Sequence, residues 1–192
     1  MDTKEILRDC VGDMLAAEKH CLESIERQTG DKAFLAYTEA HQLLTRIEVV
    51  LRSHTSALEH CLSTIDGGLG PKVKKALSAA AGAISGIYGK NRFEEPVSRS
   101  LRDDYTALNL VAISYTMLHT TACVLNEDTA AELALRNLNE ITPLIVGLSR
   151  VIPEVLAYEL SSEDKALEPA KWRQALENTQ NAWSHNVIGE IH

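Results

Sequence analysis

Four long stretches of this sequence carry apolar residues at intervals of three and four, the spacing that places them on one face of an α-helix. This pattern predicts helices over 2–27, 32–65, 97–125 and 129–160. A shorter segment, 71–88, is rich in alanine and glycine and begins with proline, which suits the first position of a helix. With most of the chain in helical patterns, the sequence predicts an all-α fold.

The connections between these helices predict how they are joined. Gly30 and Asp31 form a tight turn between the first two long helices, and 126–128 forms one between the last two. The segment between 66 and 96 is a long crossover. Two helical hairpins joined by a long crossover are the arrangement of a ferritin-like four-helix bundle. Pro143 lies inside the last long helix and should bend it, because proline cannot donate the backbone hydrogen bond.

The last part of the chain, 161–192, is mostly polar and is expected to form a tail outside a bundle domain of residues 1–160. Trp172, Leu176 and Trp183 have the spacing of a short amphipathic helix. Exposed tryptophans favour burial, so this tail is expected to dock on the bundle or on a protein partner.

Charge and composition narrow the classes of partner. The chain of 192 residues has 19 Lys and Arg against 27 Asp and Glu, a net charge of −8. A nucleic acid or an anionic membrane favours a basic face, so neither is expected as a partner. Lys72, Lys74 and Lys75 are the one tight basic cluster. The longest weakly polar stretch is expected to be Ala76–Tyr88, too short for the roughly 20 residues of a membrane span.

The four cysteines, Cys10, Cys21, Cys61 and Cys123, lie in helical patterns and include no CxxC motif. They are expected to be free thiols in a reducing compartment. The first ten residues carry five charged side chains and so do not resemble a secretory signal. The sequence therefore predicts a cytoplasmic protein.

Polar residues on the apolar stripes are the candidates for a site. Glu18 falls within the first stripe, where a carboxylate must be paired, hydrogen-bonded or bound to a metal. If the first hairpin turns at Gly30, Glu18 lies level with Glu39 and His41, and these three residues are the candidate metal ligands. Glu39 and His41 are only two positions apart, so they project from nearly opposite sides of the helix.

A second group of polar residues lies on the inward faces and forms a candidate core cluster. Its members are His54, Asp104, Tyr115 and His119. Tyr115 and His119 are one turn apart and could hydrogen-bond each other. On the last long helix, Asn137 is the inward polar residue and Glu140 is expected to point to the side.

Several segments resemble the YciE/YciF-like branch of the ferritin-like superfamily. The run 13–20, DMLAAEKH, is similar to the first-helix signature of these proteins. The segment that extends from 33–37 to 46–47 is similar to their second helix. Ser114-Tyr115 and 130–133 resemble their third and fourth helices. The resemblance extends over residues 3–158. It implies a ferritin-like bundle, a dimer, an association with bacterial stress responses and a di-iron site.

The metal ligands that this resemblance implies are mostly missing from the chain. The first-helix glutamate corresponds to Glu18, and the second-helix Glu-x-x-His is shortened to Glu39-x-His41. The remaining carboxylate positions fall on Leu108, Val111 and Ile141. A di-metal centre needs several anionic oxygens, so we interpret the chain as a bundle that has lost most of its metal site.

Three functions stay open from the sequence. The favoured one is a non-catalytic bundle, without a cofactor, that acts through protein contacts as a homodimer. The second is a metalloprotein with an atypical iron or manganese site. The third is a bundle that binds a small organic molecule in a cavity near Tyr115. An enzyme is the less favoured class.

Overall fold

The computed structural model describes residues 2–66, 82, 84, 86–88, 96–163 and 168–187. Within these residues every regular element is helical, so the predicted all-α class is confirmed. In chain order the helices are α1 Thr3–Thr29, α2 Lys32–Leu35, α3 Thr38–Asp66, α4 Val97–Val124, α5 Asp128–Glu163, a 3-10 helix Pro169–Lys171, and α6 Trp172–Val187.

The turn between α1 and α3 differs from the predicted one. Asp31 caps a helix, as expected, by accepting a hydrogen bond from the backbone N–H of Ala33 at 2.9 Å. That helix is the single turn α2, however, and it ends before α3 begins at Thr38. The prediction of one helix over 32–65 is therefore wrong at its start. Phe34 is buried in the core, and the extra turn is what brings its ring there.

The second hairpin follows its predicted bounds closely. Asn126 lies between α4 and α5 with a φ of 58°, a left-handed conformation that asparagine tolerates well. Helix α5 continues through both Pro143 and Pro153. The bend expected at Pro143 stays a prediction. Most of the helix predicted over 71–88 lies outside the described residues, but Ile84 and Tyr88 are buried.

The four long helices pack around one apolar core, each beside two neighbours. Contacts join α1 to α3, α3 to α5, α5 to α4 and α4 to α1. Along each of these contacts, residue numbers increase on one helix as they decrease on the other. On the α1–α4 contact, Gln28 meets Asp104 and Cys10 meets Thr121. On the α3–α5 contact, a Cβ atom on Gly147 would lie 3.0 Å from Leu43. Neighbouring helices are thus antiparallel, and diagonal helices are parallel.

The tail lies along the bundle. The 3-10 helix and α6 both contact α5, and α6 buries part of Trp172 and Leu176. The side chain of Trp183, the other tryptophan of the predicted amphipathic face, lies outside the described residues. This end of the molecule also holds α2, the start of α3 and the end of α5.

Candidate functional site

Three ionisable side chains, joined by hydrogen bonds, form a row that crosses the core between α1, α3 and α5. The Nδ1 atom of His54 lies 2.9 Å from Oε1 of Glu18. The Nε2 atom of the same ring lies 3.1 Å from Oε2 of Glu140. His54 and Glu18 are both buried, with 1% and 0% of their side chains exposed, whereas Glu140 is 46% exposed. This row of side chains thus extends from the interior to the surface.

The two hydrogen bonds of His54 fix how many protons the side chains of Glu18, His54 and Glu140 share. Each bond needs one proton, because a carboxylate and a bare ring nitrogen are both acceptors. The protons can sit as an imidazolium between two carboxylates, or as a neutral imidazole with one protonated carboxyl. Both arrangements carry one negative charge in total. Burial raises the pKa of Glu18, an effect that its hydrogen bond and charge interaction with His54 oppose.

Neutral groups from the second hairpin lie next to these three side chains. The amide Nδ2 of Asn137 donates to the hydroxyl of Tyr115 at 2.9 Å. The rings of Tyr115 and His54 meet edge to face with centroids 5.8 Å apart. Burial and then the charge of Glu18 raise the pKa of Tyr115 far above its ordinary value, so the hydroxyl stays protonated. Tyr115 also interacts with Glu18, while Oε2 of Glu18 has no hydrogen-bond partner of standard geometry within the described part of the chain.

Each of the four long helices therefore supplies the cluster at one level of the core. Glu18 comes from α1, His54 from α3, Tyr115 from α4, and Asn137 with Glu140 from α5. We call these five residues the central cluster. The core near it is aliphatic: Leu51, Leu108, Val111 and Ile141, each within two helical turns of a cluster residue on the same helix, are fully buried.

The predicted metal ligands do not come together. Glu18 pairs with His54, whereas the Nε2 atom of His41 lies 3.1 Å from the backbone carbonyl of Thr29, near the end of α1. Glu39 is exposed and interacts with Glu154 at the end of α5, where burial and the charge of Glu39 raise the pKa of Glu154. Within the described residues, no three His, Cys, Asp or Glu side chains have the geometry of a metal site.

The predicted core cluster is present in part. His54 and Tyr115 belong to it, but Asp104 accepts a hydrogen bond from Gln28 at 3.0 Å elsewhere in the core. His119 is bound to the backbone carbonyl of Ala131 at 2.9 Å. The expected bond between Tyr115 and His119 is thus replaced by bonds from each to α5.

The register of the first hairpin explains the wrong pairing of Glu18. A turn centred on Gly30 would place Glu18 opposite residue 42. The observed partner is His54, so the hairpin is centred near residue 36, because α2 lengthens the turn. Glu140 was missed for another reason. Its backbone lies off the apolar stripe, and only the length of its side chain carries the carboxylate to His54.

Two surface grooves are lined by described residues, and Tyr115 lines neither of them. One, of about 340 Å³, lies between the start of α3 and the end of α5 and includes Tyr37, Glu39, Glu154 and Tyr158. The other, of about 240 Å³, lies between α1 and α4 and includes Cys10, Met14 and Met117. Tyr115 itself is fully buried.

Two helices contain apolar stretches longer than the sequence predicted for any segment of this chain. By length and composition alone, Val97–Val124 and Asp128–Ser162 could each cross a membrane, so the view that Ala76–Tyr88 is the longest such stretch was wrong. About a third of the most apolar window of each helix is buried, 33% and 28%. Core helices of water-soluble proteins meet the same criterion, so this finding alone assigns no location.

Comparison of the chain with protein-family models, with curated proteins and with solved structures finds no match.

Proposed function

We propose that this chain is a non-catalytic member of the ferritin-like class, in which the central cluster occupies the place of a di-metal centre. The packing order of the long helices supports this proposal. Each hairpin is antiparallel, the two hairpins pack with α1 beside α4 and α3 beside α5, and a crossover joins α3 to α4. Those are the features of ferritin-like connectivity.

The observation that carries the proposal is the double hydrogen bond of His54. A di-metal site of this class draws on about four carboxylates and two histidines from the four helices. The central cluster has two carboxylates and one histidine, and both nitrogens of that histidine already bond to the carboxylates. An ion would have to displace a proton and separate these pairs. Leu51, three residues before His54, is aliphatic where a second ligand on that helix would stand.

Metal content tests this proposal. The protein, purified without chelator, should contain far less than one iron or manganese per chain and should not accelerate the oxidation of ferrous iron. Elemental analysis of wild type, Glu18→Gln and the exposed-residue control Glu23→Gln gives the comparison. Stoichiometric metal that is lost in Glu18→Gln and kept in Glu23→Gln would establish the metalloprotein alternative instead.

We further propose that the protein acts through contacts of a surface on the second hairpin. Between Tyr105 and Asn126 the chain contains no Asp, Glu, Lys or Arg. The exposed side chains of this stretch include two large apolar ones that lie one turn apart on α4, Ile113 with 53% exposed and Met117 with 65% exposed. We call the α4 surface around these two residues the uncharged face. Two chains of charge −8 repel each other least where the contact contains no acidic groups, so the occupant that we assign to this face is a second copy of the chain.

Light scattering coupled to size exclusion tests the dimer. Wild type should have twice the mass of one 21.1 kDa chain. Met117→Asp should shift the equilibrium to the monomer, whereas Val49→Asp should not, because Val49 is equally exposed, at 63%, on the other hairpin. A monomeric wild type, or equal effects of the two variants, would contradict this assignment. The cytoplasmic location and a role in stress remain part of the proposal, and the stress role rests on the family resemblance alone.

A further inference from the structure

Cys123 is the one cysteine of the chain with an exposed side chain; Cys21 and Cys61 are buried and Cys10 is half-buried. Burial raises the pKa of each of these three other thiols, which makes them poor nucleophiles. Cys123 lies in the last turn of α4, away from the central cluster. Neither the central cluster nor the uncharged face includes it.

The side chain of His119, one turn before Cys123, lies beside this thiol. The Nε2 atom of His119 is 3.7 Å from Sγ of Cys123, a distance typical of a hydrogen bond to sulfur. The Nδ1 atom is 2.9 Å from the carbonyl oxygen of Ala131 on α5. A carbonyl oxygen only accepts hydrogen bonds, so Nδ1 must carry the proton. In the neutral ring, Nε2 then has a free lone pair that faces the thiol.

This arrangement has the three parts of an activated nucleophile. A thiol lies next to a base, and a third group orients the base and fixes its tautomer. Two different helices supply the parts, since Ala131 belongs to α5. The packing of the second hairpin therefore sets the orientation of the imidazole.

We propose that Cys123 is a site of thiol–disulfide exchange, with His119 as its base and small disulfides as the reactants. His119 takes the thiol proton, and the thiolate attacks one sulfur of a disulfide R–S–S–R. The S–S bond of the reactant breaks as the new Cys123–S–S–R bond forms. The leaving thiolate RS⁻ takes the proton from the imidazolium and departs as RSH. The result is a chain with one mixed disulfide, which a second thiol can reverse by the same chemistry.

The test uses oxidised glutathione and the folded full-length protein. Intact mass and peptide mapping should show one glutathione adduct at Cys123 well before any other cysteine reacts. Cys123→Ser should abolish this fast adduct, while Cys10→Ser should leave its rate unchanged. Reaction of Cys10 as fast as Cys123 would overturn the proposal.

A second variant distinguishes activation of Cys123 by His119 from reactivity that is due to exposure alone. His119→Gln keeps a polar side chain that can still donate to the Ala131 carbonyl, but it has no base. It should slow the reaction of Cys123 by about tenfold or more near neutral pH, less than a fully enclosed general base would contribute. At high pH hydroxide takes the place of the base, so the difference between the two proteins should shrink. An unchanged rate and pH profile in a folded His119→Gln protein would show that exposure alone makes Cys123 reactive.

Discussion

The two hairpins have similar lengths but are held together by different chemistry. On the surface of the first, Lys19 pairs with Glu59 at 2.6 Å, and Arg52 pairs with both Glu26 and Glu48. The second hairpin has an uncharged outer surface along most of α4. In the core the first hairpin supplies an ionisable pair, Glu18 and His54, while Tyr115 and Asn137 of the second form a neutral one. The same geometry of paired helices is thus compatible with ionic or with neutral contacts.

Breaking the ionisable pair should have the largest effect. His54→Leu leaves the carboxylate of Glu18 in the core without its hydrogen-bonded partner, and loss of one member of a buried pair costs about 3–5 kcal/mol. Urea unfolding followed by circular dichroism measures this. His41→Leu, at the end of the same hairpin, is the control and should cost no more than about 1 kcal/mol, since it removes one hydrogen bond at a partly exposed site. Equal losses would contradict the importance of the buried pair.

Breaking the neutral pair should cost less. Tyr115→Phe keeps the ring that contacts His54 but removes the hydroxyl that accepts from Asn137. The buried amide then lacks its partner, at a cost of about 1–3 kcal/mol in the free energy of unfolding. Tyr105→Phe, half-buried on the same helix, is the matched control with an expected cost below 1 kcal/mol on the same scale. A loss from Tyr115→Phe that equals that of His54→Leu would mean that the two hairpins do not differ in this respect.

A smaller effect should depend on pH. Because burial raises the pKa of Glu18 in the folded protein above its ordinary value of 4.5, the folded state holds this proton more tightly than the unfolded chain. The resulting stabilisation is fully present below pH 4.5 and is lost as the pH rises through the raised folded pKa. The stability of wild type relative to Glu18→Gln should therefore fall as the pH rises above 4.5. A relative stability that rises with pH above 4.5 would show that the partners of Glu18 outweigh its burial.

The surface ion pairs of the first hairpin should contribute least. Arg52→Met removes two pairs at once, but Arg52 is 56% exposed. Exposed pairs are worth about 0.2–1 kcal/mol each, and salt screens them. The expected change in the free energy of unfolding is thus about 1 kcal/mol at low salt and less at 1 M salt. A loss that does not depend on salt would indicate that the aliphatic part of Arg52, not its charge, stabilises the hairpin.

The sequence predicted the long helices well because their apolar stripes are continuous. It also identified Glu18, His54 and Tyr115 as inward residues, since each interrupts an apolar stripe with a polar group. The partner of Glu18 was beyond reach of the same reasoning. The pairing depends on the length of the turn, and no glycine or proline marks the break at 36–37. Glu140 could be found only with the three-dimensional positions of α3 and α5, because its side chain crosses from a polar face.

The line from Glu140 through His54 to Glu18 also gives the interior a proton relay to the solvent. Glu140 can take a proton at the surface and pass it to Nε2, while Nδ1 releases its own proton to Glu18. No helix has to separate and no water has to enter for this transfer. The buried carboxyl group of Glu18 can therefore exchange its proton with the solvent while the core stays closed.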